Sequence, residues 1–555
     1  MSETITSKQQ SRRSIIISVG FMVFATFFGA GNLIFPPYLG FIGGGSMWAV
    51  GFIFFIIFDT VLGILGLAAS GKYPQVELGV FYRPGRRFMI IIGAVATFIG
   101  SLLVVVPRTA LTSYQIFLQP ILAGGYENVD TQATGLPADA VIFLVVFLVL
   151  ATFCAVRPTK VVDIVGRVLT PVLLVVLVVL IVIGLANMSG SGVRAEAYDP
   201  GSTIIAFGIT QGLQTFDAAT GTIIAVIIIA SLFAKGITNS SEQTKMILRA
   251  GLVAAVCLIV IYLGLTLLGL FYSNDPTLME QFGANGTLDQ YALLNYIISN
   301  NLGFGGTVIF GITVLVATFT TAIGCISLTS EYFSRISGRK LSYKAAVIGG
   351  MVIAFIVAIV AILASGSTSG GGQWILNMTV PVLLVTAPIT VVLIILNQFT
   401  DKIKNDNVFR GATIGAAIWG LFWGLAYIFV VSTASATAPL GVAGVPILGD
   451  DGTFLGIESH MQGFFNIIAV MFGSSPYDYF GTLTPDFTPA YTAYGSWNVI
   501  FRATGDLGYI IPAAVGGVIG FFIKKGGFEE RPYLREHAGD DSFDFEALAA
   551  KKAAG

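Results

Sequence analysis

The stretch Gly20-Phe21-Met22-Val23-Phe24-Ala25-Thr26-Phe27-Phe28-Gly29-Ala30-Gly31-Asn32-Leu33-Ile34-Phe35-Pro36-Pro37 decides the fold. It begins as an apolar helix and resumes as one, but Gly29, Ala30, Gly31 and Asn32 lie between the halves and a Pro-Pro pair follows. Glycine lowers helix propensity and admits unusual φ/ψ, and each proline removes a backbone donor. In water such a segment reads as a turn. In hydrocarbon, the backbone groups freed by a break must meet protein, water or an ion, so the break predicts a binding site.

The composition around it points to a membrane. Of 555 residues, 55% are hydrophobic and 11% charged, against roughly 25% charged in an average soluble domain. A net charge of -1 leaves no electrostatic footprint for nucleic acid. The two histidines, His460 and His537, fall outside the apolar runs, which argues against membrane haem or a His-ligated metal. Cys154, Cys257 and Cys325 each sit in an apolar run, without metal spacing or a disulfide framework. No cofactor is implied.

A bilayer crossing takes roughly 17–25 residues. Twelve runs qualify, at 15–40, 46–69, 88–118, 139–156, 161–187, 203–234, 246–272, 304–331, 342–365, 373–398, 409–431 and 507–524. The third is too long for one straight span, and Pro107 is the place for a bend. With the N-terminus inside, about 26 of the 29 lysines and arginines fall on the cytoplasmic side. Arg194 and Arg502 lie outside, and Arg108 lies within a span. Both termini, residues 1–14 and 525–555, are therefore expected in the cytoplasm. The outer segment 432–506 is longer than a connector needs to be, and its apolar stretch Met461 to Phe472 is too short to span. Leu288 to Asn300, just before the eighth run, reads as a second non-spanning helix.

The sixth run is also interrupted, by Gly208-Ile209-Thr210-Gln211-Gly212-Leu213-Gln214-Thr215-Phe216-Asp217-Ala218-Ala219-Thr220-Gly221. Broken first and sixth spans lie five helices apart and enter the membrane from opposite sides. That is the pattern of inverted repeats, here residues 15–187 and 203–398, with the site where the two breaks meet. The expected class is an all-α polytopic membrane protein of twelve transmembrane helices. It holds a 5+5 inverted repeat with discontinuous helices 1 and 6, and two extra C-terminal helices within 409–524.

At the first break, the amides of Ala30 and Gly31 fall at a helix N-terminus, which attracts a carboxylate through unpaired N–H groups and the helix dipole. Carbonyls closing the preceding half-helix, around Ala25 and Phe28, are free for a small cation. A kink that only permits close packing is the competing reading; a second broken helix in register favours a site. In the eighth run, Ala317-Thr318-Phe319-Thr320-Thr321 offers adjacent hydroxyls. Hard cations such as Na⁺ want oxygen ligands, yet threonines in helices more commonly bond back one turn. Asp59, Arg108 and Asp217 are ionisable groups inside apolar runs, where pairing or function is the default. Asp217 is placed to hold the sixth break open or to meet a substrate ammonium. Arg108 reads as the partner of an acid or as the lining of an external vestibule. Asp59 reads as a proton carrier or as a structural hydrogen-bonding group.

Residues 20–37, Gly-Phe-Met-x-Phe-Ala-x-Phe-x-Gly-Ala-Gly-Asn-x-Ile-Phe-Pro-Pro, resemble the opening of the branched-chain amino acid:cation symporter family. Pro107 to Ala110, Lys160 to Asp163 with Gly166, Asp217, Thr321 to Gly324 with Glu331 and Phe333, and Val380 to Leu383 extend the likeness. The resemblance implies Na⁺-driven secondary transport of leucine, isoleucine and valine in a bacterial plasma membrane. It also implies an architecture similar to the LeuT-type five-plus-five fold. Carried onto this sequence, it puts carbonyls of Ala25 and Phe28, with Ala317, Thr320 and Thr321, at a sodium site. The Ala-x-x-Thr-Thr pattern matches the LeuT-type sodium motif, which favours ligation over simple back-bonding. It puts Ala30, Gly31 and Asn32 on the substrate carboxylate and Gln214 or Thr215 opposite them, with Phe27 and Phe216 around the branched side chain. The insertion 432–506 and Asp59 are not typical of the family. Coupling to H⁺ through Asp59 or Asp217, or carriage of another small zwitterion, is the alternative. A channel or a membrane enzyme is disfavoured, because no filter sequence and no His, Cys or paired-carboxylate cluster shows at catalytic spacing.

Overall fold

The first apolar run is split in the computed structural model between helix α1, Arg12–Phe27, and helix α2, Ala30–Ile56. The structure describes residues 12–71, 79–125, 129, 135–156, 170–186, 192–195, 201–234, 237, 240–279, 290–366, 368–400, 402–426 and 509–523. Among these the regular elements are all helices. The first break is narrower than the sequence suggests, for it takes only Phe28 and Gly29 out of helical geometry. Gly29 is extended, and its N–H donates to Asn32 Oδ1 at 3.0 Å. A side chain three residues on thus satisfies the amide, and the helix restarts at Ala30.

Gly44 then turns the chain inside α2 with φ 54, a left-handed value that costs glycine no Cβ clash. This turn separates the first apolar run from the second. The second continues through a π-helical turn, Ile57–Val61, into α3, Leu62–Ser70. Asp59 sits in that π turn, a local geometry frequent at functional sites. The third run comprises α4, Arg86–Val95, a π-helical stretch Ala96–Val105, α5, Val106–Ser113, a second π turn Tyr114–Leu118, and a last turn Gln119–Leu122. The helix stays continuous through Pro107. The π register immediately upstream already loosens the ladder in which proline's missing N–H would sit, so no sharp bend is forced.

Helices α6, Ala138–Ala155, and α7, Thr170–Ala186, follow. The sixth run divides into α8, Gly201–Gln214, and α9, Asp217–Ala234. Next come α10, Ser240–Phe271, and α11, Gln290–Ile336, which kinks at Gly303, so the short helix expected before the eighth run is a distinct half. Last are α12, Tyr343–Ser365, α13, Thr368–Gln398, α14, Asp406–Ala426, and α15, Ile510–Phe522.

Among the described residues, 6 helical segments can cross a membrane by length and composition: Gly31–Ser70, Arg87–Leu122, Ala138–Ala155, Glu242–Phe271, Gln290–Ser334 and Tyr343–Ser365. Leu174–Ala186, Val382–Gln398 and Ile510–Phe522 are shorter apolar helices. Phe153, Leu252 and Phe521 are exposed on outer faces, which suits lipid rather than water. This is a multi-pass membrane protein. The insertion 432–506 with Met461 to Phe472, both chain ends, and residues 161–169 of the fifth run lie outside the described residues.

Helix α10 packs along α1 and α2, α8 along α2, and α9 along α3. Runs one, two, six and seven therefore form one packed group. Helix α11 packs on α5, and α12 on α13. Close approach in the first group needs small residues. A Cβ on Gly212 would stand 2.7 Å from Phe55 O and 3.2 Å from Asp59 N, so this glycine lets α8 bring its end against the π turn that carries Asp59.

Candidate functional site

Each break is held by a side chain that replaces a missing helical bond. In an unbroken helix the Gly29 N–H would pair with Ala25 O. Here it is given to Asn32 Oδ1, so Ala25 O loses its helical partner. At the sixth run, Thr215 Oγ1 donates to Gly212 O at 2.6 Å and accepts from Asp217 N at 3.4 Å. Phe216, left-handed at φ 65, donates its N–H back to Leu213 O at 3.1 Å. A left-handed non-glycine residue costs roughly 1–2 kcal/mol, a cost the surrounding contacts must offset. The second break is thus Thr215 and Phe216, not the whole of 208–221.

The two breaks meet at Asn32. The two N–H bonds of its side-chain amide are shared among Asp217 Oδ2 at 3.1 Å, Asp59 Oδ1 at 3.3 Å and the Tyr262 hydroxyl of α10. All four residues are buried. Asp59 also accepts from Thr60 Oγ1 at 2.6 Å and hydrogen-bonds with Thr215 and Asp217. A pair of buried carboxyl groups drawn from α9 and the π turn of the second run therefore lies where the two breaks meet. The sequence shows no such pair, because the partners come from distant segments and no local spacing records it.

On the opposite side of the first break lies α11. A Cβ on Gly29 would stand 3.5 Å from Thr321 Oγ1, so this hydroxyl faces the break. Thr320 Oγ1 and Thr321 Oγ1 both donate to Ala317 O, at 2.8 and 3.0 Å. The back-bonding alternative is thus realised, but it does not exclude ligation. Donation consumes the hydroxyl protons and leaves oxygen lone pairs to accept from elsewhere or to bind a cation. It also occupies the acceptor capacity of Ala317 O. A carbonyl released at the first break and a hydroxyl oxygen facing that break are donors of the kind a hard monovalent cation takes.

The other expected residues fall as follows. Ala30 and Gly31 open α2. Phe28 stacks between Phe24 and Tyr262, at ring separations of 5.3 and 6.3 Å. Phe27 is buried and turned toward α3, its ring 3.0 Å from a Cβ built on Gly63. Phe216 is half-buried, with its ring against Gly100 in the π stretch of the third run. Gln214 is buried, and its carbonyl accepts from Arg108 Nη1 at 3.5 Å. Arg108, for which the sequence admits two roles, is buried and reaches both breaks. A Cβ on Gly31 would stand 2.8 Å from its Nη2. The signal for it was present, as a charge inside an apolar run, but its destination was not.

Residues 12–448 match the family model for the branched-chain amino acid transport protein. Putative branched-chain amino acid carrier proteins of Staphylococcus aureus, from strains bovine RF122 / ET3-1 and USA300, are 33% identical over 384 residues, covering 68% of this chain and 81% of theirs. Among solved structures, MhsT in complex with L-phenylalanine aligns at 16% identity and TM-score 0.48, over 75% of this chain and 98% of that one. The inward-facing conformation of Mhp1 aligns at 14% identity and TM-score 0.46, over 96% and 94%. Likeness at that level carries no argument for the site. The family match spans most of the chain and the carriers share 33% of aligned residues with it, so the chain belongs to the branched-chain amino acid transport protein family and is a transporter, not an enzyme.

Proposed function

We propose that the protein is a Na⁺-coupled symporter that imports leucine, isoleucine and valine into a bacterial cell by alternating access. Its membrane domain makes twelve crossings as a 5+5 inverted repeat plus two helices, in the plasma membrane, with both termini cytoplasmic. The observation that carries this reading is the meeting of two helix breaks at Asn32, with Thr321 facing the first of them. The names of the Staphylococcus aureus carriers support the cargo.

In this reading Na⁺ joins the carbonyls of Ala25 and Phe28 to the hydroxyl oxygens of Thr320 and Thr321, and so ties α1 to α11, while Ala317 O, expected from the sequence as a further ligand, is taken up in holding those two hydroxyls. The substrate carboxylate lies at the start of α2, among the backbone groups of Ala30, Gly31 and Asn32. Gln214, Thr215, Phe216 and Asp217 close the site from the sixth run, and Phe27 and Phe216 bound the branched side chain. The packed group of runs one, two, six and seven then rocks against the remaining helices. Ion and substrate couple because each favours the same conformer; neither shifts the equilibrium without differential affinity.

Proteoliposomes with Na⁺ higher outside are expected to accumulate leucine above its external concentration, with isoleucine and valine competing. Collapsing the Na⁺ gradient, or replacing Na⁺ by K⁺, is expected to abolish that accumulation. Uptake indifferent to the Na⁺ gradient would count against the reading. One observation favours a second: the buried Asp59 and Asp217 carboxyls together form a place to hold a proton. Uptake that follows an imposed pH gradient, and is lost in Asp59→Asn, would replace Na⁺ by H⁺ as the coupling ion.

A further inference from the structure

We propose that Arg108 is the receptor for the carboxylate of the transported amino acid, a role that rests on the symporter reading above. Arg108 projects from the first turn of α5, the helix that follows the π stretch, and is 2% exposed. Its Nη1 makes one long hydrogen bond, 3.5 Å to Gln214 O at the end of α8. Its Nε is buried without a partner. Its Nη2 lies over Gly31, and the guanidinium carbon is 5.6 Å from the centre of the Phe35 ring one turn further along α2. Among the described residues, the ion pairs within 4.0 Å are Arg12 with Glu242 and Arg83 with Asp406. Asp217, Tyr291 and Cys325 act on Arg108 only through longer-range electrostatics.

A guanidinium has five N–H donors in a fixed fork, and this one is held between two helix breaks with most of them unspent. Burying a charge so thinly bonded is costly, and the cost is recovered when an anion arrives. The fork matches a carboxylate in bidentate geometry. The first-turn amides of α2, at Ala30 and Gly31, point the same way through the helix dipole. Gly31 has no side chain, and this is why the guanidinium can approach that turn: a Cβ there would meet Nη2 at 2.8 Å and the Phe35 ring at 2.9 Å. Asp217 stands beyond the Thr215–Phe216 break, so the site offers opposite charges to the two ends of a zwitterion. Arg108 therefore selects for the free α-carboxylate, while the apolar wall selects the side chain.

The test uses purified full-length protein in Na⁺ buffer, with binding of leucine compared with leucinamide, which keeps the side chain and the ammonium but lacks the carboxylate. Wild type is expected to prefer leucine by about 100-fold, the scale of a buried charge-assisted pair. Arg108→Gln is expected to weaken leucine by about 100-fold and leave leucinamide unchanged, so that the preference vanishes. Arg108→Lys keeps the charge without the fork and should retain only part of the preference. Gly31→Ala should reduce it too, by pushing the guanidinium aside. The role is overturned if Arg108→Gln keeps the wild-type preference, or weakens both ligands equally, as a purely structural residue would. Where Arg108→Gln does not yield monodisperse protein, Arg108→Lys and Gly31→Ala decide, and a full wild-type preference in both overturns the role. Wild type that binds no branched-chain amino acid defeats the symporter reading itself. Leucine binding with an unchanged preference in the variants defeats only the assignment to Arg108.

Discussion

Replacing Asn32 with leucine is expected to abolish uptake and to destabilise the protein. The side chain of Asn32 serves two purposes at once. Its oxygen takes the Gly29 N–H, and its amide serves Asp59, Asp217 and Tyr262. Leucine fills similar volume but leaves the Gly29 N–H without its partner and takes a donor away from Asp59, Asp217 and Tyr262. Each such group costs about 1–3 kcal/mol, and breaking a buried charged network costs about 3–5 kcal/mol in all. With the Gly29 amide free, the partner that regular helix geometry offers it is Ala25 O, so the first half-helix is expected to close over the break and remove the carbonyl that a cation would use. Thermal unfolding in detergent should therefore shift down, and uptake should fall to the level of empty vesicles. Asn32→Asp should be no rescue. It preserves the acceptor for Gly29, yet it deletes the donors and sets a third carboxyl beside two others. Wild-type uptake by Asn32→Leu would mean that the two breaks do not depend on each other.

The second large effect concerns Thr320 and Thr321. Changing both to valine preserves shape and removes two hydroxyls. If their whole role were the bonds to Ala317 O, the loss would be about 0.5–1.5 kcal/mol each. The helix would persist, since its backbone ladder is untouched, and transport would be close to normal. If they ligate Na⁺, two oxygens leave the shell of a hard cation, and the Na⁺ concentration for half-maximal uptake should rise about 100-fold or more. A folded double variant with the wild-type Na⁺ midpoint would remove these threonines from the ion site. The single Thr321→Val is expected to have the larger effect of the two single changes, because Thr321 Oγ1 is the hydroxyl that faces Gly29.

The first break was legible in the sequence because glycine and proline act locally. Its width was not, because a side chain three residues ahead supplies the missing bond, and composition does not record which way Asn32 points. The sixth break was placed too broadly for the same reason: Thr215 carries its own repair to Gly212 O. Asp59 and Asp217 were each visible as charges that hydrocarbon disfavours. That they share Asn32 and Tyr262 depends on four runs packing together, and no period or spacing encodes it. The π turn at Ile57–Val61 also left no mark in composition. Arg108 was the hardest to place. Wide turns at Ala96–Val105 rotate the helix before Arg108 is reached, so the ideal 3.6-residue period gives the wrong face.

One site with two occupants, joined at a break in α1 and α2, has a thermodynamic signature that flux alone does not carry. Binding of leucine should be measured with and without Na⁺, and binding of Na⁺ with and without leucine, on the same preparation. Linkage requires the two affinity ratios to be equal, and a shared site of this kind is expected to give about 10- to 100-fold in each direction. Leucine affinity that does not change across the whole Na⁺ range would contradict a coupled ion at Gly29, whatever else the protein carries.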